Sequence, residues 1–157
     1  MRLFLRNAEG KPDGHFAAID ADLGKEGKSL SCATNAGMYH ADRSPVGLYV
    51  EDGQQEMRLV PNAGPGNFGL LPNGVFCINE TRADVIETLK FRDSGASCRD
   101  ATPSGPMLVI DRALHPRLLP DSTTHYVRNG LGTSADGPPP ALAISTRAVT
   151  SPQSAPL

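Results

Sequence analysis

Sixteen glycines and fourteen prolines are spread along a chain of 157 residues, and they limit what it can become. Proline cannot donate to a helix interior or a central strand ladder, and glycine is entropically costly inside either. A chain punctuated this densely favours many turns and short strands over long helices. Trp is absent and aromatics are 5% of residues, so a core has to be assembled from Leu, Val, Ile and Ala. The length fits one domain.

Between the breakers, the apolar positions outline short elements. Leu3 and Leu5 alternate with Arg2, Phe4 and Arg6, which predicts a strand over 1–6. Phe16, Ile19 and Leu23 recur at helical spacing before Gly24 and Gly27, which predicts a helix over 15–24. Leu30 and Cys32 predict a strand over 29–34. A hairpin follows: a strand over Gly47–Val50, a turn at Glu51-Asp52-Gly53-Gln54 and a return over Met57–Val60. Further strands are expected at 74–78, 107–110 (buried) and 142–145, and residues 83–90 suit either a helix or a hairpin partner of 75–78. The fold class is therefore α+β, a mixed and largely antiparallel sheet with one or two short helices. Residues 147–157 lack periodicity and are expected to be a disordered tail.

The net charge is −2, the pI about 6.0, and Lys and Arg are scattered, which is the wrong surface for nucleic acid. No run of about 18 apolar residues occurs, so no membrane span is expected. The opening Met1-Arg2-Leu3-Phe4-Leu5-Arg6-Asn7 is too short for the apolar core of an export signal. Cys32, Cys77 and Cys98 are odd in number, widely spaced and without a CxxC, which reads as free, partly buried thiols.

Several segments carry chemistry-bearing residues. Gly64-Pro65-Gly66-Asn67-Phe68-Gly69 matches G-x-G-x-x-G by letter, but Pro65 and Pro72 bar the helix that a dinucleotide site needs, so it reads as a glycine-rich turn. Asn35-Ala36-Gly37 can be a tight turn or can present an amide to a ligand. Thr102-Pro103-Ser104-Gly105-Pro106-Met107 reads as a turn whose amides face a cavity; it is not a nucleophile elbow. Arg128 beside Asn129-Gly130 offers a planar fork of donors to a phosphate, or is merely exposed. His40 and Asp42, with His115 and His125, are the residues a metal could use. Asn79-Glu80-Thr81 matches the glycosylation acceptor pattern.

Five blocks stand in one order: Asn35-Ala36-Gly37-Met38-Tyr39; Ser44-Pro45-Val46-Gly47-Leu48-Tyr49-Val50; Gly66-Asn67-Phe68 with Pro72-Asn73-Gly74-Val75-Phe76; Ser104-Gly105-Pro106-Met107-Leu108-Val109; and Arg128-Asn129-Gly130-Leu131-Gly132. Together they resemble the phosphodiester glycosidase family over about residues 1–146. The resemblance implies a hydrolase that releases a sugar from a phosphodiester, with a sugar phosphodiester or phosphate-bearing glycan as its small-molecule partner. It implies no cofactor, and a periplasmic or secreted location. Carried over by position, Asn35, Ser104 and Arg128 are the catalytic candidates, with Gly105, Asn129 and Gly37 as substrate contacts.

Two departures from the family pattern stand out. Pro103 occupies the place of a Gln, which removes one polar contact. After Ala143-Ile144-Ser145 the family continues to an Asp-Gly-Gly-Gly-Ser-like motif that this chain lacks, so the domain is expected to be truncated and the enzyme weak or inactive. Two other readings are a non-catalytic glycan- or phosphate-binding module, and a metal-dependent hydrolase built on His40 and Asp42.

Overall fold

The computed structural model describes residues 1–118, 123–134 and 137–155. Its centre is a five-stranded sheet formed by β1 (Tyr49–Glu51), β2 (Gln54–Met57), β3 (Gly74–Ile78), β4 (Ala83–Glu87) and β5 (Asp100–Ser104), in the order β2-β1-β5-β3-β4. Every described strand pair is antiparallel. Helices α1 (Phe16–Lys25), α2 (Thr88–Ser94) and α3 (Ser151–Ser154) complete an α+β fold with two small hairpins, β6–β7 (Val109–Ile110, Ala113–Leu114) and β8–β9 (Asn129–Ser134, Gly137–Ile144).

Strand β3 is buried from end to end, so its alternating side chains supply both halves of the core. On one face Val75 meets Leu48 and Ala101, and Phe91 of α2 and Leu59 close over them. On the other, Phe76 and Ile78 meet Ala83, with Val85 and Leu131 of β8 packed against them. Residues 83–90 satisfy both expectations in turn. They form β4, paired with β3, and then the start of α2, whose first free amides at Leu89 and Lys90 are taken by the Glu87 carboxylate.

Several sequence expectations are corrected. Residues 1–6 and 29–34 form no strand: Leu5 N–H donates to Glu51 Oε2 at 3.1 Å and Leu30 N–H to Asp20 Oδ1 at 2.8 Å, so carboxylates take amides that a ladder would need. The 107–110 strand shrinks to Val109–Ile110, where Val109 is 41% exposed rather than buried. Cys77 of β3 and Cys98, two residues before β5, are joined in a disulfide with their Cα atoms 5.4 Å apart; only Cys32 is free, and it is exposed. Within the 147–157 segment, Thr150 caps α3 through Gln153 in a reciprocal pair of bonds; residues 156–157 lie outside the described set.

Glu51 illustrates how the sheet handles charge. Burial raises its pKa, against the opposing pull of hydrogen bonds from Tyr49 Oη and Leu5 N–H, both of which reach the same oxygen, Oε2. The folded state therefore holds this proton more tightly than the unfolded chain, and ionisation at higher pH costs stability. A glutamine amide oxygen in the Oε2 position keeps both bonds without the charge. Glu51→Gln is expected to be more stable than wild type at pH 7, with the difference vanishing below pH ~4, beneath the ordinary Glu value. Thermal melts of both proteins across pH 3–8 check this; an advantage that persists at the acid end contradicts it.

Candidate functional site

Three of the site candidates, Gly37, Ser104 and Gly105, lie at the end of β5. Residues 100–104 form the central strand of the sheet, not the turn expected from Thr102-Pro103-Ser104. Proline is tolerated there because the only bridge to β1 is Val50–Ala101. Continuing that antiparallel register sets Pro103 opposite Leu48, beyond the start of β1, so its missing donor falls where no strand asks for it.

Gly37 lies directly on this strand. A Cβ built there would fall on Thr102 Oγ1 and 2.5 Å from the Pro103 carbonyl oxygen. Gly47 approaches from a second loop, where a Cβ would stand 2.9 Å from Pro103 Cγ and 2.8 Å from the Phe68 ring. Pro103 is thus buried and packed by glycine backbone. Ser104, exposed, ends β5 opposite Gly74, and Gly105 follows against the side chain of Asn73.

Asn129 begins β8 and its Nδ2 reaches the carbonyl of Asn35 at 3.4 Å, joining two segments 94 residues apart. Arg128, next to it, is used differently. Its backbone exchanges bonds with Ser145, through Oγ at 2.9 Å and the Ser145 amide at 2.8 Å. Its guanidinium donates from Nε to the Val149 carbonyl at 3.0 Å and from Nη2 to the Thr124 carbonyl at 3.4 Å, and sits 5.5 Å from the centre of the Tyr126 ring. Among the described residues no hydrogen bond links Arg128 to Ser104 or Gly105, and Nη1 has no partner. The structure therefore brings Asn35 to Asn129 and sets Gly37 on the strand that ends in Ser104, while Arg128 is tied to the 145–149 segment.

The glycine-rich stretch is a turn, with a short 3-10 helix over Asn67–Gly69 and Gly64 N–H donating to the Gly69 carbonyl at 3.4 Å. At Gly69 a side chain would overlap the Gly64 backbone. The His40–Asp42 segment is also a turn: Asp42 Oδ1 accepts from Ser44 Oγ at 2.6 Å and from its amide at 3.0 Å, which holds the carboxyl below its usual range. His115 is buried with both ring nitrogens engaged, Nε2 at 3.1 Å from the Leu71 carbonyl and Nδ1 accepting from Arg117 N–H at 3.0 Å. Among the described residues no three His, Cys, Asp or Glu side chains are placed to hold a metal ion.

Two clefts open elsewhere, and none of the six candidates lines either. One, of about 200 Å3, runs between Leu5, Arg6 and the β1–β2 turn. The other, of about 480 Å3, lies between β4 and the 107–111 segment. Among the described residues no helix is long and apolar enough to cross a membrane.

The collinear blocks thus sit on one framework, and comparison with known proteins agrees with them. Residues 28–155 match the family model described as phosphodiester glycosidase. The chain belongs to this family. A relative in sequence, the uncharacterized protein YigE of Escherichia coli (strain K12), is 32% identical over 137 residues, which is 87% of this chain and 53% of that protein. The chain spans about half the length of this curated relative. No solved structure matches it. The sequence singled out Asn35, Gly37, Ser104, Gly105, Arg128 and Asn129 as candidates and did not single out Asn73, which the structure encloses beside Gly105. The signal for it was an asparagine set immediately before a fully buried strand, a position where a polar side chain is enclosed.

Proposed function

We propose that this chain hydrolyses a glycosyl phosphodiester at the surface where the Asn35–Gly37 loop, the end of β5 and the start of β8 meet. In this reaction water adds to the anomeric carbon and the bond from that carbon to the phosphate oxygen breaks. The departing phosphate monoester is a weak base, so little general-acid help is required and the main demand is to hold anionic oxygens. The Gly105 amide and the Ser104 hydroxyl supply neutral donors, since Pro106 has no N–H and the Met107 amide is taken by the Pro72 carbonyl. Asn35 and Asn129 supply amides suited to sugar hydroxyls. Arg128, pre-set by two carbonyls, has Nη1 left for a phosphate oxygen. The observation that carries the reading is the contact of Asn129 with Asn35, together with Gly37 on the strand that leads to Ser104. The Cys77–Cys98 disulfide supports a periplasmic or secreted setting, since structural disulfides persist in oxidising compartments.

The test is release of reducing sugar from a synthetic alkyl glycosyl phosphodiester by the purified chain. Arg128→Ala and Ser104→Ala are each expected to lower kcat/KM by about 10²–10³-fold, the usual loss when a donor to a developing anion is removed. Arg128→Lys is expected to stay well below wild type, because an ammonium cannot reproduce the fork. A melt of each variant separates this from loosening of the 145–149 segment. Wild-type activity that survives both alanine substitutions would sink the assignment.

One observation favours a second reading, a binding module without turnover. The six residues include no carboxylate, so none of them activates water. Calorimetric binding of the same phosphodiester with no sugar released is the expected signature.

A further inference from the structure

Asn73 is 1% exposed and stands where the glycine-rich turn, the start of α2 and the residue after β5 meet. Its Nδ2 donates to the carbonyl of Phe68, in the 3-10 turn of the glycine-rich loop, at 2.5 Å. Its backbone carbonyl accepts from both the amide and the hydroxyl of Thr88 at 3.0 Å, at the start of α2. Its remaining group, Oδ1, is buried, and no donor among the described residues reaches it. That oxygen faces Gly105, where a Cβ would overlap it. Gly105 is not in the left-handed region, so glycine is required there for space and not for its backbone freedom.

A buried acceptor left unpaired is costly and calls for an explanation. Exchanging the two ends of the amide does not relieve it, because Oδ1 would then face the Phe68 carbonyl, acceptor against acceptor. What points at Oδ1 is the Cα hydrogen of Gly105, a weak donor. The side chain therefore acts as a spacer of fixed length between the glycine-rich loop and the residue after Ser104. The ladder on either side keeps the same register: Gly74 pairs with Ser104, and Met107 N–H donates to the Pro72 carbonyl at 2.9 Å.

We propose that Asn73 is a positioning residue of this site, holding the Ser104–Gly105 turn and the Gly64–Gly69 loop at a set separation. It acts through Gly105 and touches no substrate. The catalytic part of this inference rests on the phosphodiester reading above; the positional part does not.

The experiment is residue-resolved amide hydrogen exchange on the full chain, together with turnover of the alkyl glycosyl phosphodiester, for wild type and Asn73→Ala. The amides of Met107 and Gly69 are expected to exchange about tenfold faster in the variant, while those of Gln55 and Glu56 in the distant β2 are unchanged. Turnover is expected to fall about tenfold in kcat with KM within about twofold of wild type, the pattern of displaced transition-state contacts. Gly105→Ala intrudes on the same contact from the opposite side, so it should reproduce the exchange pattern, and it serves if Asn73→Ala does not fold. Adding Gly105→Ala to Asn73→Ala should cost little further stability, since the obstruction has gone. Uniform acceleration across the sheet, unchanged exchange at Met107 and Gly69, or unchanged kcat in a locally loosened variant would each overturn the proposal. A wild-type protein with no turnover removes the phosphodiester reading, and the exchange pattern still decides the positional claim.

Discussion

Replacing Arg99 with methionine is expected to destabilise the fold by about 3–5 kcal/mol, because it strands a buried carboxylate. Asp100 is fully buried at the first position of β5. Its Oδ2 receives the Arg99 guanidinium, from Nε at 2.8 Å and Nη2 at 2.7 Å, and its Oδ1 takes the Asp52 amide at 3.1 Å in the β1–β2 turn. Arg99 also donates to the Met1 carbonyl at 2.7 Å, and its backbone is held by Asn79 Oδ1 and by Gly53 N–H. One dipeptide therefore fastens the chain start, the β1–β2 turn and the end of β3. Methionine keeps much of the apolar stem but no charge. Asp100→Asn should cost less, about 1–3 kcal/mol, because the arginine left behind is about a third exposed and water can solvate it. Urea titrations of the two variants give the comparison. Equal losses, or a smaller loss for Arg99→Met, would show that the burial of Asp100 is not what the pair offsets.

That dipeptide was invisible to pattern reading, and the reason applies to all of β5. Asp100-Ala101-Thr102-Pro103-Ser104 has one small apolar residue, one charge and one proline, which is the signature of a loop. It becomes the central strand because tertiary partners meet each objection: Arg99 for the charge, the short reach of β1 for the proline, and Val75 and Leu48 around Ala101. By contrast β3 was legible in full, since Val75-Phe76-Cys77-Ile78 is an apolar run bounded by Gly74 and Asn79. The α1 helix was legible to within a residue from Phe16, Ile19 and Leu23, although only Leu23 is buried.

The site was legible in its parts and not in its geometry. Gly37, Ser104 and Asn129 could be singled out by their turn chemistry and by family likeness, but nothing local says that a Cβ at residue 37 would strike β5, or that Asn129 reaches Asn35. Arg128 shows the reverse case. Its letters suggest a free cation, whereas two carbonyls and a tyrosine ring hold it in place. Its bonds to Ser145 and Val149 depend on residues 17 and 21 positions away, beyond the reach of any periodicity.

The Cys77–Cys98 bridge is the second large lever on stability, and its strength follows from the loop it closes. A cross-link between residues 21 apart removes denatured-state entropy worth about 3 kcal/mol. For a domain of this length that corresponds to a melting temperature lower by roughly 6–12 °C in Cys77→Ala/Cys98→Ala. The enclosed segment holds β4 and α2, so without the link the denatured chain regains the freedom of both while the native sheet keeps its hydrogen bonds. The effect should therefore show as faster sampling of the unfolded state, with little change in the folded spectrum. Dithiothreitol should reproduce the shift in wild type and leave the double variant unchanged. Cys32→Ser is the control, because that thiol is exposed and unpaired and its loss should move the melt by less than about 0.5 kcal/mol. If reduction leaves the wild-type melt where it was, the two sulfurs are not joined in the native protein. The oxidising compartment inferred from them would then lose its support.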